Sequence, residues 1–445
     1  MKINWFSPLP AARTGIALYT ELLIPVLQKR AELTLWTDQP EWDDRLNQVA
    51  RVRRFDPQCP PWPEVNQADL SFYNIGNNPM FHEGIWEVSR RHAGIVILHD
   101  ICLQHFFTEL YLTERKDSEE YRRLMVHYYG DAGRHAASQF LTHACTIEQL
   151  AAAFPLAPLA LENALGVVIH NLTHQQALTC QPPLPVVYLP LPFAPSAGRP
   201  RTALVSRRRS GPPYGLIAFG VIGRNRRLEQ FLRAWAGMAE KAMFRLRICG
   251  EIYDTGYINS LIHNLGLADF AKVCGYVSDQ DLHAELMQAD LAVNLRYPTM
   301  GEASGSQMLI WEHSLPALVT QVGWYATLQK STVAFVRPEC ESEDICAQLR
   351  AFLKNPESFA EMGRKGYEIV EREHAPDRYA EALLALAGPA RGWVVRHSRL
   401  SMAKRAGDEM RHWITAAASD ALSESAARAI WDISGNTSAR KKAGA

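Results

Sequence analysis

The 445-residue sequence has no surplus of charge of either sign: Lys plus Arg and Asp plus Glu number 47 each. Without a global field, net charge recruits neither nucleic acid nor an anionic membrane, and any basic site must be local. The eight cysteines, at 59, 102, 145, 180, 249, 274, 340 and 346, form no CxxC pair and no Cys/His spacing of a metal site. They read as reduced core thiols of a cytoplasmic protein. No uninterrupted apolar run has membrane-spanning length. Leu150 to Ile169 is nearly uncharged, but Pro155, Pro158 and Glu162 break it, so it reads as a buried helix, a turn and a strand. The N-terminal MKINWFSPLP reaches Ser7 and Pro8 before any stretch long enough for a signal peptide, so secretion is not expected. Neither half of the chain shows GxGxxG followed by an acidic residue about 20 positions on, which disfavours a dinucleotide-dependent oxidoreductase. No DxD-type metal motif falls in a suitable loop.

What is present is an ordinary globular composition, 47% hydrophobic and 21% charged, without low-complexity tracts. The length exceeds what one core supports, which predicts two domains of roughly 200 residues. β-rich runs at Ile3–Phe6, Leu33–Thr37, Leu70–Asn74, Gly94–Leu98, Val167–Ile169 and Val186–Leu189 alternate with helical patterns. A second series follows at Leu216–Val221, Phe244–Cys249, Lys272–Tyr276, Leu291–Leu295, Ala317–Thr320 and Val333–Val336. This alternation predicts α/β architecture with two Rossmann-like domains facing each other across a cleft. The expected boundaries are 1–195 for the first domain, 196–213 for a Pro-rich linker with Arg207-Arg208-Arg209, and 214–375 for the second. A helical C-terminal extension over 376–445 ends in a polar tail expected to be disordered. Ligands of open α/β sheets bind outside the carboxyl ends of the strands, so function is expected in the cleft.

Three loops there have suitable chemistry. Gly223-Arg-Asn-Arg-Arg227 follows a strand and opens an amphipathic helix; Arg224, Arg226 and Arg227 oppose the helix dipole unless an anion joins them. Gly301-Glu302-Ala-Ser-Gly-Ser306 enters the next helix, with small residues that let backbone N–H groups approach a phosphate. A plain helix entry capped by Ser304 or Glu302 is the competing reading. The third loop, Pro8 to Gly15, brings Arg13, Thr14 and Gly15 to the start of a helix in the other domain. His99 closes a central strand, whereas His82, His105 and His170 read as structural groups and Trp311 and Trp324 as core.

These features, with Gly76-Asn77-Asn78-Pro79, Leu98-His99-Asp100 and Gly301 to Ser306 in this order, resemble the family-4 retaining glycosyltransferases over nearly all of residues 1 to 375. They look most like a bacterial subgroup with a Gly-Glu-x-Ser-Gly-Ser donor loop. The resemblance implies a GT-B fold and metal-independent transfer of a sugar from a nucleoside diphosphate to an acceptor hydroxyl in bacterial glycan or polysaccharide biosynthesis. It places Arg226, with Arg227 beside it, where the family has a diphosphate-binding lysine. Ser304, Gly305 and Ser306 would supply amides to the distal phosphate, and Gly15 would lie near the diphosphate. Gly275, Tyr276 and Val277 would flank the nucleobase. Glu302 would contact the donor sugar, and His99 would lie near the anomeric carbon. Arg13, Thr14, Asn77, Asn78 and Asp100 would face an acceptor, whether glycan, lipid-linked or protein. No cofactor is implied beyond the nucleotide-sugar substrate. Localisation is expected to be cytoplasmic, with at most peripheral contact with the inner face of the membrane.

Two departures stand out. The family's second Glu, which contacts the ribose, is replaced by Ile310, and Glu312 is rotated from that position by about 200° along a helix. An arginine expected near Gly220 is missing, with Arg224 or Arg296 as substitutes. The lost carboxylate keeps open a different reading, a non-catalytic GT-B subunit that binds a nucleotide or glycan within a glycan-assembly complex.

Overall fold

The computed structural model describes residues 1–173, 175–178, 184–195 and 211–413, with residues 425 and 428. Most of the anticipated linker, including Arg207-Arg208-Arg209, and the polar tail from Asn436 lie outside these residues. Two parallel sheets organise the chain. The first comprises β1 (Lys2–Phe6), β2 (Glu32–Thr37), β3 (Arg51–Arg54), β4 (Leu70–Ile75), β5 (Gly94–Leu98), β6 (Ala164–Ile169) and β7 (Val186–Tyr188), in the order β3-β2-β1-β4-β5-β6-β7. The second comprises β8 (Tyr214–Phe219), β9 (Phe244–Cys249), β10 (Ala271–Gly275), β11 (Leu291–Asn294), β12 (Ala317–Thr320) and β13 (Ala334–Val336), in the order β10-β9-β8-β11-β12-β13.

Helices on both faces force the central strands to be apolar along their whole length. Every residue of β4, β5 and β6 is buried, and their sequences LSFYNI, GIVIL and ALGVVI show no polar alternation. The edge strand β3 differs, because only Val52 of Arg51-Val-Arg-Arg54 is buried. That lone apolar residue explains why sequence pattern alone does not mark it. The predicted cysteine burial is only partly observed: Cys102 and Cys249 are buried, whereas Cys59 is exposed.

The C-terminal segment forms part of the first domain's core. Helix Pro356–Glu373 packs on the second domain, where Gly366 abuts the Trp311 ring. The chain then crosses, with Phe193 N donating to His374 O. Helix Pro376–Ala385 lies on helix Gly15–Gln28, joined by a 2.7 Å bond between the Tyr19 and Tyr379 hydroxyls and by the Arg30–Asp377 ion pair. Buried Leu383 and Ala380 enter the same apolar cluster as Ile3, Trp5 and Phe72. Helix Ala387–Trp413 lays Trp393 against Gly166 of β6. Among the described residues, no helix is long and apolar enough to cross a membrane.

Because Leu383 is fully buried in the first domain's core, Leu383→Ala is expected to cost about 2–5 kcal/mol. Urea titration followed by tryptophan fluorescence, to which Trp5 of this cluster contributes, would show an unchanged midpoint if residues 376–386 were a detachable extension.

Candidate active site

Each sheet has a point where strand order reverses, between β1 and β4 in the first and between β8 and β11 in the second, and crevices form there. The loops after these four strands hold most of the expected residues. In the first domain, Thr14 caps helix Gly15–Gln28 by accepting from Ile16 N, leaving Arg13 and Gly15 exposed at the mouth. After β4, Asn77 N donates to the Asp100 carboxylate at 2.9 Å, while Asn77 Oδ1 accepts from Phe106 N. Asn78 Oδ1 accepts from Met80 N and caps helix Pro79–Arg91. Thr14 Oγ1, Asn77 Oδ1 and Asn78 Oδ1 thus each accept from a backbone N–H.

His99 follows β5. Its ring packs edge-on against Tyr19 and lies 5.3 Å from His170. Asn74 Nδ2 donates to Phe6 O, so Asn74 Oδ1 is the acceptor facing His99 Nε2 at 3.0 Å. His99 Nε2 is therefore the protonated nitrogen in the neutral ring. Burial, reinforced by His170 and His82, holds its pKa well below the usual value, so His99 is uncharged at neutral pH.

In the second domain, the three residues of the basic turn have different surroundings. Arg226 is 8% exposed. Its Nη2 donates to Phe219 O at 3.0 Å, and its Nη1 makes no hydrogen bond among the described residues. Burial, then repulsion from Arg296, lowers its pKa to about 10, so it remains a cation. Ser306 Oγ and Arg226 Nη2 border the same space, each 4.0 Å from where a side chain on Gly220 would begin. Arg227 does not belong to this set: its guanidinium is paired with the buried carboxylate of Glu341, with Nε 3.0 Å from Oε1. It ties the start of helix Leu228–Ala236 to helix Glu341–Lys354. The Glu341 carboxylate is an internal anion for Arg227 at this helix start, so its position there is explained without a bound diphosphate. Arg224 stays exposed in the turn.

The loop after β11 is braced from within. Glu302 Oε2 accepts from Thr299 Oγ1 at 2.9 Å and from Met300 N at 2.7 Å, and Oε1 lies 2.7 Å from Arg296 Nη1. Ser304 Oγ accepts from Gln307 N and caps helix Gly305–Glu312, so its hydroxyl is engaged. The first-turn N–H groups of Gly305 and Ser306 have no intrahelical acceptor. Gly250 allows the backbones of the strand ends to close up: a Cβ there would sit 2.0 Å from Gly220 O, and Gly250 N donates to Gly275 O. Beyond Gly275, Tyr276 is 72% exposed and the Arg13 guanidinium of the other domain lies 5.8 Å from its ring centre. Val277 packs on the apolar cluster beneath.

The two domains meet at this loop. Met300 O accepts from Ile101 N and Cys102 N, and Asn171 Nδ2 donates to Gly301 O. His99, Asp100 and Glu302 are thereby brought to one junction. Sequence reasoning missed Asn171 and also Tyr325, a buried residue near the Arg226 and Arg296 guanidiniums. No motif surrounds either residue. Arg296, considered only as a substitute, proves to be the partner of Glu302; its place two residues after β11 is the signal that marks it. Ile310 is fully buried and faces no cleft, while Trp311 and Trp324 are core as expected.

Asp100 lies between Asn77 and Glu302, and burial, reinforced by Glu302, raises its pKa to about 7. A raised carboxyl pKa means the folded state binds more protons than the unfolded one, so the Asp100 contribution to stability declines as pH rises from about 4 to about 7. Asp100→Asn should remove that decline: the difference in thermal midpoint, wild type minus variant, is expected to fall steadily across this window. A difference independent of pH would contradict the assignment.

The family described as Glycosyl transferases group 1 matches residues 206–369, the span that holds the whole second sheet. No curated protein matches the chain. Sucrose-phosphate synthase from Thermosynechococcus elongatus superposes with a TM-score of 0.61 at 15% identity, covering 88% of this chain and 99% of that one. HepE from Anabaena in complex with UDP gives 0.58 at 13% identity, with 87% and 100% covered. WaaG, a glycosyltransferase involved in lipopolysaccharide biosynthesis, gives 0.54 at 13% identity, with 85% and 99% covered. At such identities the likeness is one of fold. The chain is an α/β protein of the GT-B architecture, with a helical C-terminal region and a second half that matches the group 1 glycosyl transferases.

Proposed function

We propose that this protein is a retaining glycosyltransferase that moves a sugar from a nucleoside diphosphate to an acceptor hydroxyl. The observation that carries the reading is Arg226, a buried cation whose Nη1 has no hydrogen-bond partner among the described residues, at the switch point between β8 and β11. Burying a charge without a partner costs several kcal/mol, and a diphosphate is the complement that removes that cost. The matching family segment supports the reaction class. HepE structures holding UDP with glucose, and UDP-glucose, make UDP-sugars the first donors to try.

In this mechanism the bond between the anomeric carbon and the phosphate oxygen breaks, and negative charge gathers on the leaving diphosphate. Arg226 and the amides of Gly305 and Ser306 receive that charge without reorganising, and no divalent ion is needed there. The departing phosphate oxygen takes the proton of the acceptor hydroxyl as the acceptor oxygen bonds to the anomeric carbon on the same face, which retains configuration. Neutral His99 tolerates the positive charge that develops at that carbon. Glu302 accepts from the donor sugar while its Oε2 keeps the loop in shape. Gly15 and Arg13 border the diphosphate and acceptor, and Gly275 to Val277 flank the base. The acceptor is a glycan, a lipid-linked sugar or a protein hydroxyl in glycan assembly.

Hydrogen bonds to charged groups contribute about 1.5–3 kcal/mol, so Arg226→Ala should weaken UDP binding by about 10- to 150-fold and abolish transfer. Its thermal midpoint without ligand should not fall. Arg227→Gln should do the reverse, losing stability with the Glu341 pair while keeping nucleotide affinity. Calorimetric titration with UDP and donor-hydrolysis assays across a nucleotide-sugar panel read both variants. Nucleotide binding with no turnover of any donor would replace the transferase reading with that of a binding subunit.

A further inference from the structure

Helix Gly305–Glu312 presents its first turn to the cleft and ends on Glu312, with His313 as its cap. Beside that far end runs helix Asp279–Gln288, which carries His283. His283 Nδ1 and His313 Nε2 are 3.0 Å apart, with the rings stacked at 28°. His313 Nδ1 lies 2.8 Å from Leu309 O, so Nδ1 carries the proton and Nε2 offers its lone pair towards His283. The Glu312 carboxylate joins them, and ligand atoms from all three residues lie within 4.8 Å of one another. Glu312 and His313 are buried, while His283 is partly open to solvent.

We propose that His283, Glu312 and His313 form a binding site for a divalent transition ion of zinc's class, outside the catalytic cleft. Zinc holds imidazole nitrogen and carboxylate oxygen at about 2.0–2.2 Å, which in tetrahedral geometry sets ligand atoms about 3.3 Å apart. The two imidazole nitrogens are already near that spacing at 3.0 Å, and side-chain adjustment closes the remaining separations, none of which exceeds 4.8 Å. The Leu309 carbonyl fixes the tautomer and orientation of His313, as outer-shell acceptors do for metal-bound imidazoles. Two imidazoles and one carboxylate favour zinc over magnesium or calcium, which prefer oxygen alone. The fourth position falls to water on the open side of His283.

The site's place in the fold defines its role. Eight helical residues span about 12 Å, so the ion lies well away from the amides of Gly305 and Ser306 and does not meet the diphosphate. It joins two helices whose amino-terminal ends carry the Gly275–Val277 loop and the Ser304–Ser306 turn. The ion would thus hold the two donor-side loops at a set separation.

The competing arrangement is a metal-free hydrogen bond between the two imidazoles, and cobalt distinguishes them. Full-length protein, purified without a metal-affinity step and treated with chelator, is titrated with Co²⁺ and then Zn²⁺. Expected are visible absorption bands of tetrahedral Co²⁺ that saturate at one equivalent, their loss on adding Zn²⁺, and a thermal midpoint several degrees higher with Zn²⁺. His283→Ala and Glu312→Gln should remove the bands and the thermal shift while far-ultraviolet circular dichroism stays unchanged. Wild-type protein without bands or shift, or a His283→Ala variant that responds as wild type does, overturns the proposal. No nucleotide enters the experiment, so its failure leaves the transferase reading untouched.

Discussion

The docking of one turn organises the cleft. Met300 and Gly301, from the second domain, give their carbonyls to Ile101, Cys102 and Asn171 of the first. Gly301 sits at φ +80°, and a Cβ there would come within 2.8 Å of Ile101 Cβ. Only a residue without a side chain lets the two backbones approach this closely. The same turn leads directly into the helix whose first amides face the crevice, so domain contact and anion site share a few residues.

Charge is arranged around that junction in a graded way. Arg227 and Glu341 neutralise each other away from the crevice, and Arg296 and Glu302 do so at its edge. Among the described residues Arg226 is left with part of its guanidinium unsatisfied, and Asp100 is left as a carboxyl whose proton is held more tightly than usual. Each pairing removes a residue from the pool available to a ligand. Among the described residues, that subtraction leaves the buried Arg226 cation, a helix start and a neutral histidine at the crevice, the groups on which the proposed reading rests.

Much of the fold was legible because buried parallel strands must be apolar throughout, and runs such as Gly94–Leu98 and Val167–Ile169 announce themselves. β3 was not, since an edge strand of three arginines and one valine has no such obligation. The site was legible in part: the loops after β8 and β11 stood out by composition. Their individual roles did not, because Arg226 and Arg227 are adjacent and chemically identical. A left-handed Arg227 and the position of Glu341, more than a hundred residues on, separate them. Asn171 and Tyr325 carry no local pattern, so nothing short of the folded chain points to them.

By itself, the sequence determined the two-sheet α/β architecture, the order of the loops along it and the resemblance those loops bear to a glycosyltransferase family. Periodicity and strand-end chemistry are local properties, readable a few residues at a time. Only the tertiary structure decided which polar groups are satisfied and which, among the described residues, are left without a hydrogen-bond partner. It also decided that residues 376–413 return to the first domain, and that His283 meets Glu312 and His313. Satisfaction of a buried polar group depends on partners far along the chain, and distance in space is set by the packing of the whole fold rather than by any stretch of sequence.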